Sequence, residues 1–82
     1  MVAVYAIYNQ KNNKIYIGQT VDLEKRLHEH NNHTYKGYTA SYDGEWVVIY
    51  TESLASISLA LIREKQLKSF RGREFIKKHI PR

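Results

Sequence analysis

The sequence predicts an α+β domain: a three-stranded antiparallel β-sheet flanked by helices, in the order β-β-α-β-α-α. Three observations predict it. Two segments rich in β-branched and aromatic residues flank an asparagine-rich turn near the start, a third apolar run of strand composition follows at 46–51, and the stretches after the second and third carry helical periodicity with capping residues. With 82 residues, 43% of them apolar, and no low-complexity stretch, the chain has material for one modest core and reads as a single domain over 1–82.

The first strand is read from Val2 to Asn9 and the second from Lys14 to Thr20, joined by Gln10-Lys11-Asn12-Asn13. An even-numbered connection puts Tyr5 and Ile7 on one sheet face with Tyr16 and Gly18, and Val4, Ala6, Ile15 and Ile17 on the other. Asp22 is placed to cap a helix running to His30, with Asn31-Asn32 ending it. Residues 31 to 45, with Gly37, Asp43 and Gly44, read as a long mobile loop. Trp46 to Thr51 is the third strand, and its unbroken apolar character predicts burial on both faces. Ser53 or Ser56 opens a second helix through Lys68, and Gly72 is expected to separate it from a last basic helical segment, Arg73 to His79, stopped by Pro81.

Composition excludes several kinds of protein. There is no cysteine, so neither disulfides nor thiolate zinc sites are available. The N-terminus lacks a basic segment followed by a long apolar one, and no apolar run suits a bilayer, which predicts a cytoplasmic protein without a membrane partner. The net charge of +5 is uneven, with +6 over residues 63–82 and −1 over 1–62. Such asymmetry suits a polyanion, and equally a solvated basic helix face.

Polar groups on apolar faces carry the functional signal. On the first helix Leu23, Arg26, Leu27 and His30 form the inward stripe. Arg26 and His30 are there either as a snorkelling arginine and a hydrogen-bonded core histidine, or as a phosphate clamp and a proton relay. On the second helix Ile57, Ala60, Leu61, Glu64, Leu67 and Lys68 form a stripe with a carboxylate in its middle. Glu64 then needs either an ion-pair partner such as Arg26 or a hard cation such as Mg²⁺. Tyr5 and Tyr16 share a face as half-buried core residues or as site residues. With both helices packed on that face, all five groups would converge. The run His28-Glu29-His30 lacks the spacing of a zinc peptidase, and no Gly-rich phosphate loop, serine triad or carboxylate pair is present.

Taken in order, Ala3-Val4-Tyr5, then Tyr16-Ile17-Gly18 after an eleven-residue step, Arg26 ten residues on, His30 a turn later, Trp46-Val47-Val48-Ile49-Tyr50 and a helix bearing Glu64 resemble the GIY-YIG nuclease superfamily. In size and in Arg63-Glu64-Lys65-Gln66-Leu67-Lys68 the chain is most similar to short standalone bacterial members. The resemblance implies a GIY-YIG fold and a metal-dependent DNA endonuclease, of use in repair or recombination on duplex or branched DNA. Tyr5 would help activate the attacking water, Tyr16 would assist, and Arg26 would stabilise charge on the phosphate. His30 would bind there or relay protons, and Glu64 would hold Mg²⁺ or Mn²⁺. A phenol of pKa about 10 needs help from a neighbouring cation to act as a base.

Lys14, Lys25, Lys36, Lys65, Lys68, Arg71, Arg73, Lys77 and Lys78 are the cations expected to grip nucleic acid. Ala3-Val4 replaces the Gly-Ile of the family's name, and residues 76–79 read Ile76-Lys77-Lys78-His79 where many members carry an asparagine. Without a separate DNA-binding domain, specificity would come from DNA shape or a protein partner, and the chain is expected to be a monomer or weak dimer. The alternative is a nucleic-acid-binding module of the same fold that cuts weakly or not at all. A third reading makes Tyr35, Tyr38 and Tyr42 a protein-docking face.

Overall fold

The computed structural model describes residues 1–35 and 37–81, so the Lys36 contact expected from the sequence lies outside the described residues. The strands are β1 (Val2–Asn9), β2 (Lys14–Thr20) and β3 (Trp46–Leu54), and the helices are α1 (Leu23–Asn31), α2 (Ile57–Lys68) and α3 (Phe70–Lys77), in the predicted β-β-α-β-α-α order. All pairings are antiparallel and the strand order is β2-β1-β3, which leaves β2 with a free edge.

The hairpin register pairs Tyr5 with Gly18, Ile7 with Tyr16 and Ala6 with Ile17, as the even-numbered turn predicts. Asn13, in the left-handed region at φ 53°, closes that turn and accepts a 2.9 Å hydrogen bond from the Tyr8 hydroxyl.

Being central, β1 is buried on both faces, with Val4, Tyr5, Ala6 and Ile7 all at 0% exposure. Both faces therefore need a cover, and the helices divide between them. On the Val4–Ala6–Ile17 face lie Ala60 and Leu67 of α2 and Ile76 of α3. On the Tyr5–Ile7 face, with Trp46, lie Leu23 and Leu27 of α1. The expectation that α1 and α2 pack on one face is thus corrected. A single helix layer would leave half of β1 in water.

Three further expectations change. The strand β3 is an edge strand, not one buried on both faces, and Val47 is 36% exposed. Its unbroken apolar run reflects a bulge instead: Ala6 pairs with Tyr50 but Ile7 with Val48, so Ile49 is an extra residue and the side-chain alternation switches phase there. Gly72 does not separate two helices but lies inside the first turn of α3, its N–H donating 3.2 Å to the Ser69 hydroxyl that caps the helix. The apolar stripe of α2 narrows to Ala60 and Leu67, leaving Ile57 and Leu61 exposed. Asp22 and Ser56 cap α1 and α2 as expected.

The 31–45 loop is tied down along its described length rather than loose. Asn31 makes a two-way amide contact with the Trp46 backbone, and Asp43 accepts hydrogen bonds from Asn9, Asn12 and Lys11. A 3₁₀ turn, Tyr38–Ser41, carries the buried Thr39.

Candidate active site at the free edge of the sheet

Gly18 sits on the edge strand, and its missing side chain is what lets two phenols meet. A Cβ there would stand 2.9 Å from the Tyr5 hydroxyl and 2.9 Å from Cε2 of Tyr16. The space beside Gly18 is not open to a phosphate: the Tyr5 hydroxyl and the Tyr16 ring fill it. The two rings lie 6.3 Å apart, Tyr5 fully buried and Tyr16 half-buried.

From above this face, α1 lowers His30 and Arg26. His30 is fully buried, with Nε2 2.9 Å from the Tyr5 hydroxyl and Nδ1 2.7 Å from the hydroxyl of Thr39. If Nδ1 donates to Thr39, Nε2 presents a lone pair to the Tyr5 proton. Burial, helped by the charge of Arg26, pushes the imidazole down to about 4 despite Glu29, so it is neutral near pH 7. Burial likewise pushes the Tyr5 phenol up to about 12, although Arg26 opposes the rise. Tyr16 is also raised, by burial first and then by Tyr35, Tyr5 and Glu64.

Arg26 is held from three sides. Its guanidinium lies 4.4 Å from the centre of the Tyr35 ring, its Nη1 donates at 3.4 Å to the Gln19 carbonyl, and its Nε is 3.3 Å from Glu29. Burial works against its charge, and the Tyr5 and Tyr35 phenols with Glu29 outweigh that, leaving its affinity for the proton raised. Tyr35 also packs against His30 at 4.7 Å, and Tyr38 lies nearly parallel to Tyr16, 21° apart at 6.2 Å.

Glu64 arrives from the opposite face of the sheet on α2, close enough that its charge contributes to raising both Tyr5 and Tyr16. Its side chain is only 19% exposed and accepts a 2.7 Å hydrogen bond from Lys68, not from Arg26. The carboxylate is therefore already seated against a cation, and its hard oxygens suit Mg²⁺ or Mn²⁺. Among the described residues no three His, Asp or Glu side chains gather into a cage. A cation here would depend on Glu64, solvent and a substrate phosphate, an arrangement normal for Mg²⁺.

Four of the predicted site residues, Tyr5, Tyr16, Arg26 and His30, thus gather on one face, while Glu64 comes from the other. The predicted nucleic-acid contacts divide. Lys14, Lys68, Arg73 and Lys77 line clefts beside Tyr16 and Tyr38. Lys25 lies on the α1 side with Asp22 and Glu24, and Arg71 lines a separate groove with Arg63 and Phe75. Lys65 and Lys78 are exposed on α2 and at the end of α3.

Sequence reasoning missed Thr39, and it gave Tyr35 and Tyr38 a place only in its third reading, as a docking face, whereas both pack against Tyr16 and Tyr35 also against His30. Only the clustering of tyrosines in the loop hinted at the latter. His79, in the window where many members carry an asparagine, packs at steep angles against Tyr50 and Phe75, ring centres 5.1 Å from each, within the α3–β3 aromatic cluster.

Compared with known families, the chain matches the one described as GIY-YIG catalytic domain over residues 1–78. No curated protein and no solved structure gives a significant match.

Proposed function

The chain belongs to the GIY-YIG nuclease family, and from that premise we propose that it is a metal-dependent endonuclease hydrolysing phosphodiester bonds in DNA, selective for DNA structure and serving repair or recombination. The observation that carries this reading is the gathering of two phenols, a held guanidinium and a buried imidazole at one place on the sheet, with the charge of Glu64 acting on both phenols. In hydrolysis the water oxygen bonds to phosphorus as one bridging P–O bond breaks, and the departing oxygen takes its proton from solvent. Tyr5 takes the water proton while its own passes to Nε2 of His30, so no free tyrosinate is formed at a group whose pKa is about 12. An anionic phosphate beside Arg26 offsets the charge that helps hold His30 neutral, which raises its appetite for that proton. Arg26 stabilises the charge growing on the non-bridging oxygens. Glu64 is the residue to hold the divalent cation, Mg²⁺ or Mn²⁺, which when bound supplies Lewis-acid polarisation of the phosphate.

The test is cleavage of nicked, flapped and plain duplex DNA with Mg²⁺ or Mn²⁺. Wild type is expected to cut, while Glu64→Ala, Arg26→Ala and Tyr5→Phe each lose about 100-fold or more, as removal of one charge-stabilising or proton-handling group does. Equal residual signal in wild type and Glu64→Ala would sink the catalytic claim. A second reading, a binding module that cuts weakly, is favoured by one observation: the residue in the asparagine window, His79, is engaged with Tyr50 and Phe75.

A further inference from the structure

Next to the site, between β2 and α3, runs a cleft of about 550 Å³ that continues into one of about 260 Å³ at Tyr16, the two sharing Ile15, Tyr38 and Arg73. Four cations stand along it, Lys14, Lys68, Arg73 and Lys77, and none of the lining residues is acidic. Two of the four have carboxylate partners nearby, Lys77 with the exposed Glu74 and Lys68 with Glu64. The first is a surface pair that a phosphate readily displaces.

Between the cations lies Tyr38, 45% exposed, flanked in the wider cleft by Ile15 and Ile80. Arg73 stands close enough to act on the Tyr38 phenol, opposing the rise that burial and Tyr42 cause. The Tyr16 and Tyr38 rings keep nearly the same orientation, 21° apart.

An apolar-walled aromatic ring amid spaced cations is the chemistry that receives a nucleotide strand, base on ring and phosphate on cation. A continuous duplex has no use for the ring, because its base faces are already stacked on one another and only phosphates, sugars and base edges are outward. We propose that this cleft seats an unpaired segment of the DNA strand, with a base stacked on Tyr38 and its phosphates on Lys14, Lys68, Arg73 and Lys77. The enzyme then selects flaps and overhangs over uninterrupted duplex. That consequence for substrate choice rests on the nuclease reading, whereas the cleft's ligand does not.

The experiment is fluorescence anisotropy in EDTA, so that nothing is cut, with a duplex bearing an oligo-dT tail, the same duplex with an abasic tail, and a blunt duplex. The oligo-dT tail is expected to bind about ten-fold tighter than the abasic tail, within the range that stacking of a base on an aromatic ring provides, and the abasic tail, which keeps the phosphates, tighter than the blunt duplex. The abasic arm uses the unaltered protein and so does not depend on any variant folding. Tyr38→Ala removes the ten-fold advantage of the dT tail over the abasic tail and leaves blunt-duplex affinity as it was, and Tyr38→Phe keeps that advantage. If the abasic tail binds as well as the base-bearing one, or the tail gains nothing over the blunt end, the proposal is overturned. Tail preference without Mg²⁺-dependent cleavage overturns the nuclease reading and leaves the cleft's ligand standing. Cleavage without tail preference does the reverse.

Discussion

His30 carries its role because it is buried neutral. Its pKa of about 4 lies below the 6.5 of an ordinary histidine. Between those values the unfolded chain binds a proton that the native chain refuses, so the stability from this group is complete above pH 6.5 and is lost as pH falls toward 4. The loss is about 3 kcal/mol. Urea midpoints at pH 7, 5.5 and 4 check it, with His30→Gln expected to be less stable at pH 7 but to fall less steeply; parallel profiles would refute the assignment. Gly18→Ala tests the meeting of the phenols. The added methyl must displace Tyr5 or Tyr16, so a cost of about 1–3 kcal/mol is expected together with a fall in kcat of about 100-fold from misplaced groups. Thermal melts and single-turnover cleavage separate the two effects. As candidates, Tyr5, Tyr16, Arg26, His30 and Glu64 stand out in the sequence because each puts a polar group on a regular apolar face. Thr39 was not, since its partner His30 is nine positions back and the loop between them has no period to interrupt.

At the level of elements, the caps were legible because Asp22 and Ser56 act on backbone only three residues away. The glycine of α3 was not. Read as a breaker, Gly72 is where α3 passes α2: a Cβ would fall 2.2 Å from the Gln66 carbonyl oxygen and 2.4 Å from Cα of Leu67. In an open helix Gly→Ala gains up to about 1 kcal/mol. Here Gly72→Ala is expected to destabilise by about 1–3 kcal/mol, since the obstacle is backbone that cannot swing aside, and a Tm above wild type would refute the close passage. The signal of two-faced burial was present in the sequence but was assigned to β3, when the strand that earns it is β1. A bulge at Ile49 produces an unbroken apolar run just as a central position does.

For the molecule as a whole, the number and order of elements followed from local pattern. The side of the sheet each helix takes did not, because it depends on which strand is central. Charge is the other property of this scale. With four cations along the cleft, log affinity for single-stranded DNA is expected to fall with log salt at a slope of roughly −3. Arg73→Gln makes that slope shallower by about 0.7, and titrations between 50 and 200 mM salt, on the order of the range where such slopes are read, check both. Among the described residues no helix is long and apolar enough to cross a membrane.

The alternation of β1 has a genetic corollary. Within eight consecutive residues, Val4 and Ala6 face the α2–α3 core while Tyr5 between them reaches His30 and the site. Neighbouring codons thus answer to different selections, one for how much protein a cell accumulates and the next for what each molecule can do. A library of single substitutions sorted separately for abundance and for activity would show the two phenotypes changing places at every step along the strand. An insertion of one residue before Tyr5 would exchange them wholesale.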